Sequence, residues 1–283
     1  MVIDAHTHLF AERVSSHFKE YLADDQFNIL YQSLNPNLKP KIIDHQKLLK
    51  EMAKEGVDYV VAMGFAWQKE KFAKEQNLYF SSLPKLSQGK IIPFGTIPLD
   101  ATDVDIWAKE IKDFGLAGIG EIAFYSTGMD EASFSFLEKL FLAARKYSLP
   151  VCLHVNEPVG HFYPGKYDPN LKKLYDLLVE FTDLKIILAH FGGGLLFYEL
   201  MPEVNNQFKN FYYDTAATPF LYRDKIYKLA LEIVGEERII FGSDFPLLRF
   251  KKYLNSIKHE VPEINAQQKI LGGNITRILK SFF

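Results

Sequence analysis

Six side chains of the kinds that bind metal ions stand at or near the ends of short apolar segments that lie far apart in the sequence. They are His6, His8, Glu121, His154, His190 and Asp244. Imidazole and carboxylate groups suit Zn2+ and also Mn2+, Fe2+ and Co2+, and a site that keeps an open coordination position is catalytic. The His6-x-His8 pair alone is a weak signal, since two polar residues finishing a strand explain it equally well. Six such residues gathered at one place would be hard to explain by core packing, because a buried carboxylate is costly unless it is paired or bound to a metal.

These residues need a scaffold that collects the ends of many strands. Short runs rich in Val, Ile and Phe recur along the chain, and most are apolar on both faces, which is typical of strands buried in a parallel sheet. The runs predict strands at 2–9, 57–65, 91–98, 116–123, 150–156, 185–191, 211–216 and 238–244. Each of the six residues lies near the C-terminal end of one of these predicted strands.

Between the strands lie segments with the apolar spacing of amphipathic helices. They predict helices at 44–55, 68–82, 103–114, 130–147, 170–181, 195–208, 222–234, 251–259 and 265–280. Repeated strand–helix alternation predicts an α/β fold, a single (β/α)8 TIM barrel over 1–283 with its active site at the C-terminal face of the parallel strands. A doubly wound sheet would usually carry a Gly-rich turn after its first strand, where this chain has His6-Thr7-His8.

The segment 11–43 is longer than an ordinary strand-to-helix loop and contains several aromatic residues. We expect it to be partly helical. Two placements remain open for it: a flap over the barrel mouth, or a helix packed on the side of the barrel.

Composition narrows the class of partner. The formal net charge of −2 argues against a stable nucleic-acid partner, and the apolar runs are too short to span a membrane. The single cysteine, Cys152, cannot form an internal disulfide, and we interpret it as a core thiol. Asp4 interrupts the N-terminal apolar run and no basic leader precedes it, so we expect no signal peptide and a cytoplasmic location.

Several further residues have both a functional and a structural interpretation. The loop after the fifth predicted strand contains Asn156, His161 and Lys166, which either bind a small-molecule substrate or stabilise a structured turn. Trp67 and Tyr125 either wall the pocket or, as we favour, pack in the core. Asp4 shares a strand face with His6 and is expected to support a ligand rather than to be one. Surface aromatic residues at 162–163 and 197–198 leave a homo-oligomer open.

Four motifs together resemble the amidohydrolase superfamily, and most closely its amidohydrolase-related (amidohydrolase 2) branch, which includes decarboxylases and lactonases. They are DAHTH at 4–8, LH at 153–154, LAHFGGG at 188–194 and FGSDFP at 241–246. The resemblance implies that His6, His8, His154 and Asp244 hold a metal ion. It implies that His190 either binds a second ion or lies against the reacting group.

One segment resembles a neighbouring branch. GIGEIAFY at 118–125 is similar to the glutamate motif of TatD-type deoxyribonucleases, in which the glutamate bridges two metal ions. The chain departs from that family after the glutamate and in the triple glycine that follows His190. Carried over, the motif makes Glu121 a bridging ligand, and the resemblance leaves one or two divalent ions open, with Zn2+ expected first.

The chemistry expected from these residues is hydrolysis of an amide, ester or lactone bond in a small molecule by a metal-activated water. Asp244 would act as general base, and His190 would stabilise developing charge. One alternative is a metal-dependent decarboxylase of an unsaturated or aromatic acid, whose anion pocket Lys166 or Arg249 would supply. A TatD-like phosphodiester hydrolase is another, and a non-catalytic binding barrel is the least favoured.

Overall fold

The computed structural model describes residues 1–32 and 41–283, and within these ranges eight short strands form the centre of the molecule. The strands are β1 (Ile3–His8), β2 (Tyr59–Met63), β3 (Ile91–Pro93), β4 (Ile119–Ile122), β5 (Val151–Leu153), β6 (Ile186–Leu188), β7 (Phe211–Asp214) and β8 (Ile239–Ile240). Each lies inside a strand predicted from the sequence. The predicted strands are longer, because apolar residues continue into the loops after pairing has ended.

All strand pairs are parallel and follow chain order, β1-β2-β3 in one set and β4-β5-β6-β7-β8 in the other. Single bridges join the two sets: Gly95 pairs with Ile119 at one seam, and Thr7 pairs with Phe245 at the other. The second seam is strengthened where the amide of Ala5 donates to the carbonyl of Phe241 at 2.8 Å. The strands therefore close into the predicted parallel barrel.

Helices surround the barrel. They are α1 (Glu12–Ser16), α2 (Phe18–Tyr21), α3 (Asp25–Tyr31), α4 (His45–Glu55), α5 (Glu70–Leu86), α6 (Val104–Asp113), α7 (Glu131–Tyr147), α8 (Leu171–Leu178), α9 (Leu195–Tyr198), α10 (Pro202–Gln207), α11 (Thr218–Leu221), α12 (Ile226–Val234), α13 (Phe250–Glu260), α14 (Ile264–Gln268) and α15 (Asn274–Ile278). No helix in the described part of the chain is long and apolar enough to cross a bilayer.

Two helix predictions are corrected. The single helix predicted over 195–208 is two short helices, α9 and α10, because Pro202 starts a new helix and disfavours helical backbone in the residue before it. The predicted tail helix 265–280 is α14 and α15 joined by a π-helical turn at Lys269–Gly273.

The barrel interior is filled by buried side chains of alternate strand positions, which include Ile3, Val61, Ile92, Ile187 and Ile240. Cys152 is fully buried among them, in the position expected of a core thiol. A second, larger apolar layer lies between the strands and the helices. The interior is therefore a packed core, and the cluster of buried histidines and carboxylates lies at its C-terminal end.

The segment 11–43 contributes helices α1 to α3, and its residues 33–40 lie outside the described ranges. Asp24 caps α3 by accepting hydrogen bonds from the amides of Gln26 and Phe27. The other oxygen of Asp24 accepts from the amides of Gln68 and Lys69, at 3.0 and 2.9 Å, on the loop after β2. One carboxylate thus joins this helical segment to the barrel.

Candidate metal centre

The six side chains singled out at the strand ends converge in two groups that share one glutamate. In the first group the Nε2 atoms of His6 and His8 lie 3.1 Å apart, and each is 3.4 Å from Oε2 of Glu121. Oδ1 of Asp244 lies 3.2 Å from Nε2 of His8. All are on or directly after β1, β4 and β8.

The second group contains the histidines that follow β5 and β6. Nδ1 of His154 lies 2.9 Å from Oε1 of Glu121 and 3.0 Å from Nε2 of His190. Nε2 of His190 lies 3.4 Å from the same glutamate oxygen. Glu121 therefore turns one carboxylate oxygen toward each group.

A second layer of hydrogen bonds sets which nitrogen of two histidines faces the centre. Nδ1 of His6 lies 2.8 Å from Oδ2 of Asp214, and Nδ1 of His190 lies 3.0 Å from the carbonyl oxygen of Ala216. Since a carboxylate and a carbonyl accept only, both Nδ1 atoms carry the proton. Each Nε2 then presents a lone pair to the centre, which is the arrangement that metal-binding histidines use.

These separations fit a divalent cation. Ligand atoms bound to one Zn2+ at about 2.0–2.2 Å lie roughly 3–3.5 Å from one another. The groups His6, His8, Asp244 and Glu121, His154, His190 each keep their ligand atoms within 4.8 Å. His6, His8, Glu121, His154, His190 and Asp244 are thus the residues that would hold such an ion.

The electrostatics of the centre also favour a cation. Burial by itself lowers the pKa of His6, yet the carboxylates of Glu121 and Asp214 raise it well above 6.5. For Glu121, burial opposes ionisation, but His6 and His154 hold its pKa well below 4.5. Negative charge therefore persists at the centre in spite of burial.

Two backbone features place these residues. His190 and Asp244 both have φ of 59°, in the left-handed region that non-glycine residues rarely adopt. After His190, Gly193 passes so close to the loop after β5 that an added Cβ would lie 2.5 Å from the carbonyl oxygen of Asn156. The glycines of 192–194 thus allow close packing of two loops, one of the two roles considered for them.

A cavity of about 270 Å³ opens onto the centre from the barrel mouth. The walls are largely apolar or aromatic, and Leu30 and Tyr31 of the helical segment form part of them. Five of the six candidate metal ligands lie on its floor: His8, Glu121, His154, His190 and Asp244. Tyr125 also lines the cavity, contrary to the packing role that we favoured from the sequence, whereas Trp67 is buried in the core.

The residues predicted to bind substrate are placed differently from one another. His161 lines the cavity. The buried amide of Asn156 donates to the carbonyl of Tyr167, and the Lys166 ammonium donates to the carbonyls of Val159 and His161, so both stabilise the loop itself. Arg249 pairs with Glu51 and Glu55 on the outside of the barrel.

Sequence reasoning missed Asp214. It ends β7 as the other polar residues end their strands, so the same pattern would have found it. Its Oδ1 accepts from the amides of His190 and Ala216, at 2.9 and 3.0 Å, while Oδ2 holds His6. Asp4 supports the backbone instead, since its Oδ1 accepts from the amides of His6 and Ser243.

Solved structures with the same fold include two kinds of decarboxylase. The 5-carboxyvanillate decarboxylase from Sphingomonas paucimobilis matches with TM-score 0.76 and 16% identity over 99% of this chain and 98% of that chain. A dihydroxybenzoic acid decarboxylase from a Polaromonas species, with bound manganese and the inhibitor 2-nitroresorcinol, matches with TM-score 0.69 and 16% identity over 99% and 96%. The 2,6-dihydroxybenzoate decarboxylase from Rhizobium gives 0.68 and 16% over 99% and 98%. At these identities the likeness establishes a shared fold.

Sequence comparison identifies the family. No curated protein was found to match the chain in sequence. The family model for amidohydrolases, however, matches residues 3–280, which is nearly the whole barrel and includes all six residues of the metal centre. The chain therefore belongs to the Amidohydrolase family.

Proposed function

We propose that the protein is a metal-dependent decarboxylase of a small aromatic or unsaturated carboxylic acid. The observation that carries this proposal is the position of an apolar, aromatic-walled cavity directly above the cluster of histidines and carboxylates. Its volume of about 270 Å³ is at the lower end of small-molecule sites, which are about 300–1,000 Å³. A single substituted ring is of a size that such a cavity accepts.

The similarity to three solved decarboxylases supports this reading over the hydrolysis of an amide, ester or lactone that we placed first from the sequence. Two of those proteins act on hydroxylated benzoic acids by name, and one holds manganese. Mn2+ therefore joins Zn2+ as a candidate ion for this chain. Fold alone does not carry an activity, so the proposal depends on the site.

The residues of the site have distinct roles in this reaction. A divalent ion, when bound, supplies a Lewis acid that binds and polarises substrate oxygens. Decarboxylation breaks the bond between the ring carbon and the carboxylate, releases CO2, and leaves the ring carbon to take a proton. Asp244 lies at the cavity with its side chain 17% exposed, so it can take a proton from solvent and deliver it to that carbon. The apolar walls exclude water from the developing charge.

A second candidate function, hydrolysis, is favoured by Glu121. Its two oxygens face different groups of histidines, as a ligand shared by two ions would. In that case Asp244 would take a proton from a water and the substrate would be an amide, ester, lactone or phosphodiester. Metal content per chain separates the two, since about two ions would favour hydrolysis and about one would favour decarboxylation.

The proposal is tested with protein purified without chelators and loaded with Mn2+ or Zn2+. The loaded enzyme is incubated with hydroxylated benzoic acids while CO2 release is measured, and in parallel with lactones, aryl esters and phosphodiesters. Release of CO2 from one or more acids is the expected result. Hydrolysis of the second panel without any CO2 release would overturn the proposal.

Substitution of Asp244 by Asn tests the proton donor. The amide retains the size of the side chain but cannot carry the transferred proton, so kcat should fall by at least about a hundredfold. Because Asp244 is also among the residues that would hold the ion, metal content is measured and turnover is compared at saturating Mn2+. Asp224→Asn is the matched control because Asp224 is exposed and bonded to Ser256 outside the site. Near-normal turnover of Asp244→Asn would remove Asp244 from this role.

A further inference from the structure

Tyr125 presents a hydroxyl in the cavity that no described residue engages. It follows β4 and lines the cavity together with Glu121, His154 and Asp244. Within residues 1–32 and 41–283, no hydrogen bond is made to its hydroxyl, whereas the hydroxyl of Tyr167 donates to the carbonyl of His154 at 3.1 Å. A phenol is a donor at neutral pH, so Tyr125 has a donor free for a ligand.

The ring of Tyr125 is held in a fixed position beside the metal centre. It packs edge to face on His154, with centroids 5.3 Å apart, and lies 6.2 Å from the ring of Phe65. Gly165 makes this possible, because an added Cβ there would lie 3.0 Å from Cδ1 of Tyr125 and 2.6 Å from Leu30. The hydroxyl is therefore positioned before any ligand arrives, which lowers the entropic cost of using it.

We propose that Tyr125 determines specificity by donating a hydrogen bond to an oxygen substituent, a hydroxyl or phenolate, on the ring of the substrate. The inference rests on the proposed function and refines it: the substrate class is hydroxylated aromatic acids rather than unsubstituted or aliphatic ones. A site that places a buried donor against a substrate hydroxyl discriminates strongly against analogues that lack it, because the donor is then left unpaired. Leu30 and Phe65 offer that donor no acceptor, and the carboxylates of Glu121 and Asp244, which line the same cavity, make no hydrogen bond to it within the described residues.

The test compares two ligands that have no carboxylate to lose, 2-nitroresorcinol and nitrobenzene, on the Mn2+-loaded protein, with Kd measured by calorimetry. Tyr125→Phe keeps the ring and removes only the hydroxyl. It should weaken the binding of 2-nitroresorcinol about tenfold, as expected for one lost hydrogen bond, and leave the Kd of nitrobenzene within about twofold. Tyr79→Phe is the matched control, since its hydroxyl is bonded to His45 on the outside of the barrel.

Equal weakening of both ligands, or no weakening of either, would overturn the proposal. Tyr125→Leu provides a second variant in case Phe alters folding. It also removes the ring that packs on His154, so both ligands should weaken, but the hydroxylated one more. Because binding is measured without turnover, the result is independent of catalysis. If Tyr125→Phe selectively weakens the hydroxylated ligand but no acid releases CO2, the role of Tyr125 stands and decarboxylation is rejected. If CO2 is released but the weakening is not selective, decarboxylation stands and the role of Tyr125 is rejected.

Discussion

At the scale of single residues, Asp214 connects the two groups of the metal centre although it contacts no position where a substrate would bind. It is fully buried at the end of β7, and it fixes the tautomer of His6 through Nδ1 and the backbone of His190 through its amide. A carboxylate in this position also makes the imidazole a stronger ligand. Asp214 is therefore a positioning residue for both groups at once.

Asp214→Asn should weaken metal binding by about ten- to a hundredfold. The amide oxygen can still accept from Nδ1 of His6, but it lacks the negative charge that makes the imidazole a stronger ligand. The measurement is a competition titration of Mn2+ or Zn2+ against a chromophoric chelator. Asp224→Asn again serves as the surface control. Unchanged affinity in Asp214→Asn would mean that the histidines are oriented by packing alone.

The candidate metal ligands could be proposed from sequence because each stands at or near the C-terminal end of an apolar strand. Their contacts with one another and with Asp214 could not be predicted, since His6 and Asp214 are 208 positions apart and meet only when β1 and β7 join one barrel. For the same reason the sequence left open whether Lys166 binds an anion or stabilises its loop. Nothing in its sequence context predicts that its ammonium turns back onto the carbonyls of its own loop.

At the scale of elements, the helices α1 to α3 form a cover that is tied to the barrel rather than laid loosely on it. Asp24 uses one oxygen to cap α3 and the other to accept from the loop after β2. Phe27 of α3 stacks on Trp67, with centroids 5.3 Å apart. The cover carries Leu30 and Tyr31 to the cavity wall. Sequence patterning predicted helical character here, but its placement depends on these tertiary contacts.

Asp24→Ala should therefore cost more than the loss of an ordinary helix cap. Removing a cap costs about 1 kcal/mol, and two further amides lose their acceptor, so we expect roughly 2–3 kcal/mol of unfolding free energy. Asp103→Ala is the matched control, since Asp103 caps α6 by accepting only from the amides of Asp105 and Ile106. Hydrogen exchange should increase across residues 12–31 in Asp24→Ala alone. Equal costs for the two variants, with 12–31 still protected, would contradict the anchoring role.

At the scale of the whole molecule, the barrel gathers ionisable groups at one end of an otherwise apolar core. The centre contains three carboxylates, Glu121, Asp214 and Asp244, of which Glu121 and Asp214 are nearly or fully buried. Burying like charges is costly unless cations accompany them. In the absence of a metal, protonated histidines must balance these charges. The pKa of His190 is accordingly about 9, because Glu121 and the neighbouring carboxylates raise it by more than burial lowers it.

A divalent ion bound at this centre would compete with protons, and we expect that competition to set how stability depends on pH. A histidine whose folded pKa is about 9 stabilises the metal-free protein fully below its unfolded pKa of about 6.5, and this contribution is lost as pH rises toward 9. A metal ion requires the unprotonated imidazole and is bound more tightly as pH rises over the same interval.

The difference in melting temperature between metal-loaded and chelated protein should consequently grow from pH 6 to pH 8. At a free-ion concentration of about a hundred times Kd the ion contributes about 2.7 kcal/mol, or roughly 5 °C for a chain of this size. Scanning calorimetry at both pH values measures this difference in melting temperature. His259→Gln, which changes an exposed residue, is the control and should match wild type. In His190→Gln the pH dependence of the difference should shrink. A difference that is the same at both pH values, or that shrinks toward pH 8, would show that the ion does not displace protons from this cluster.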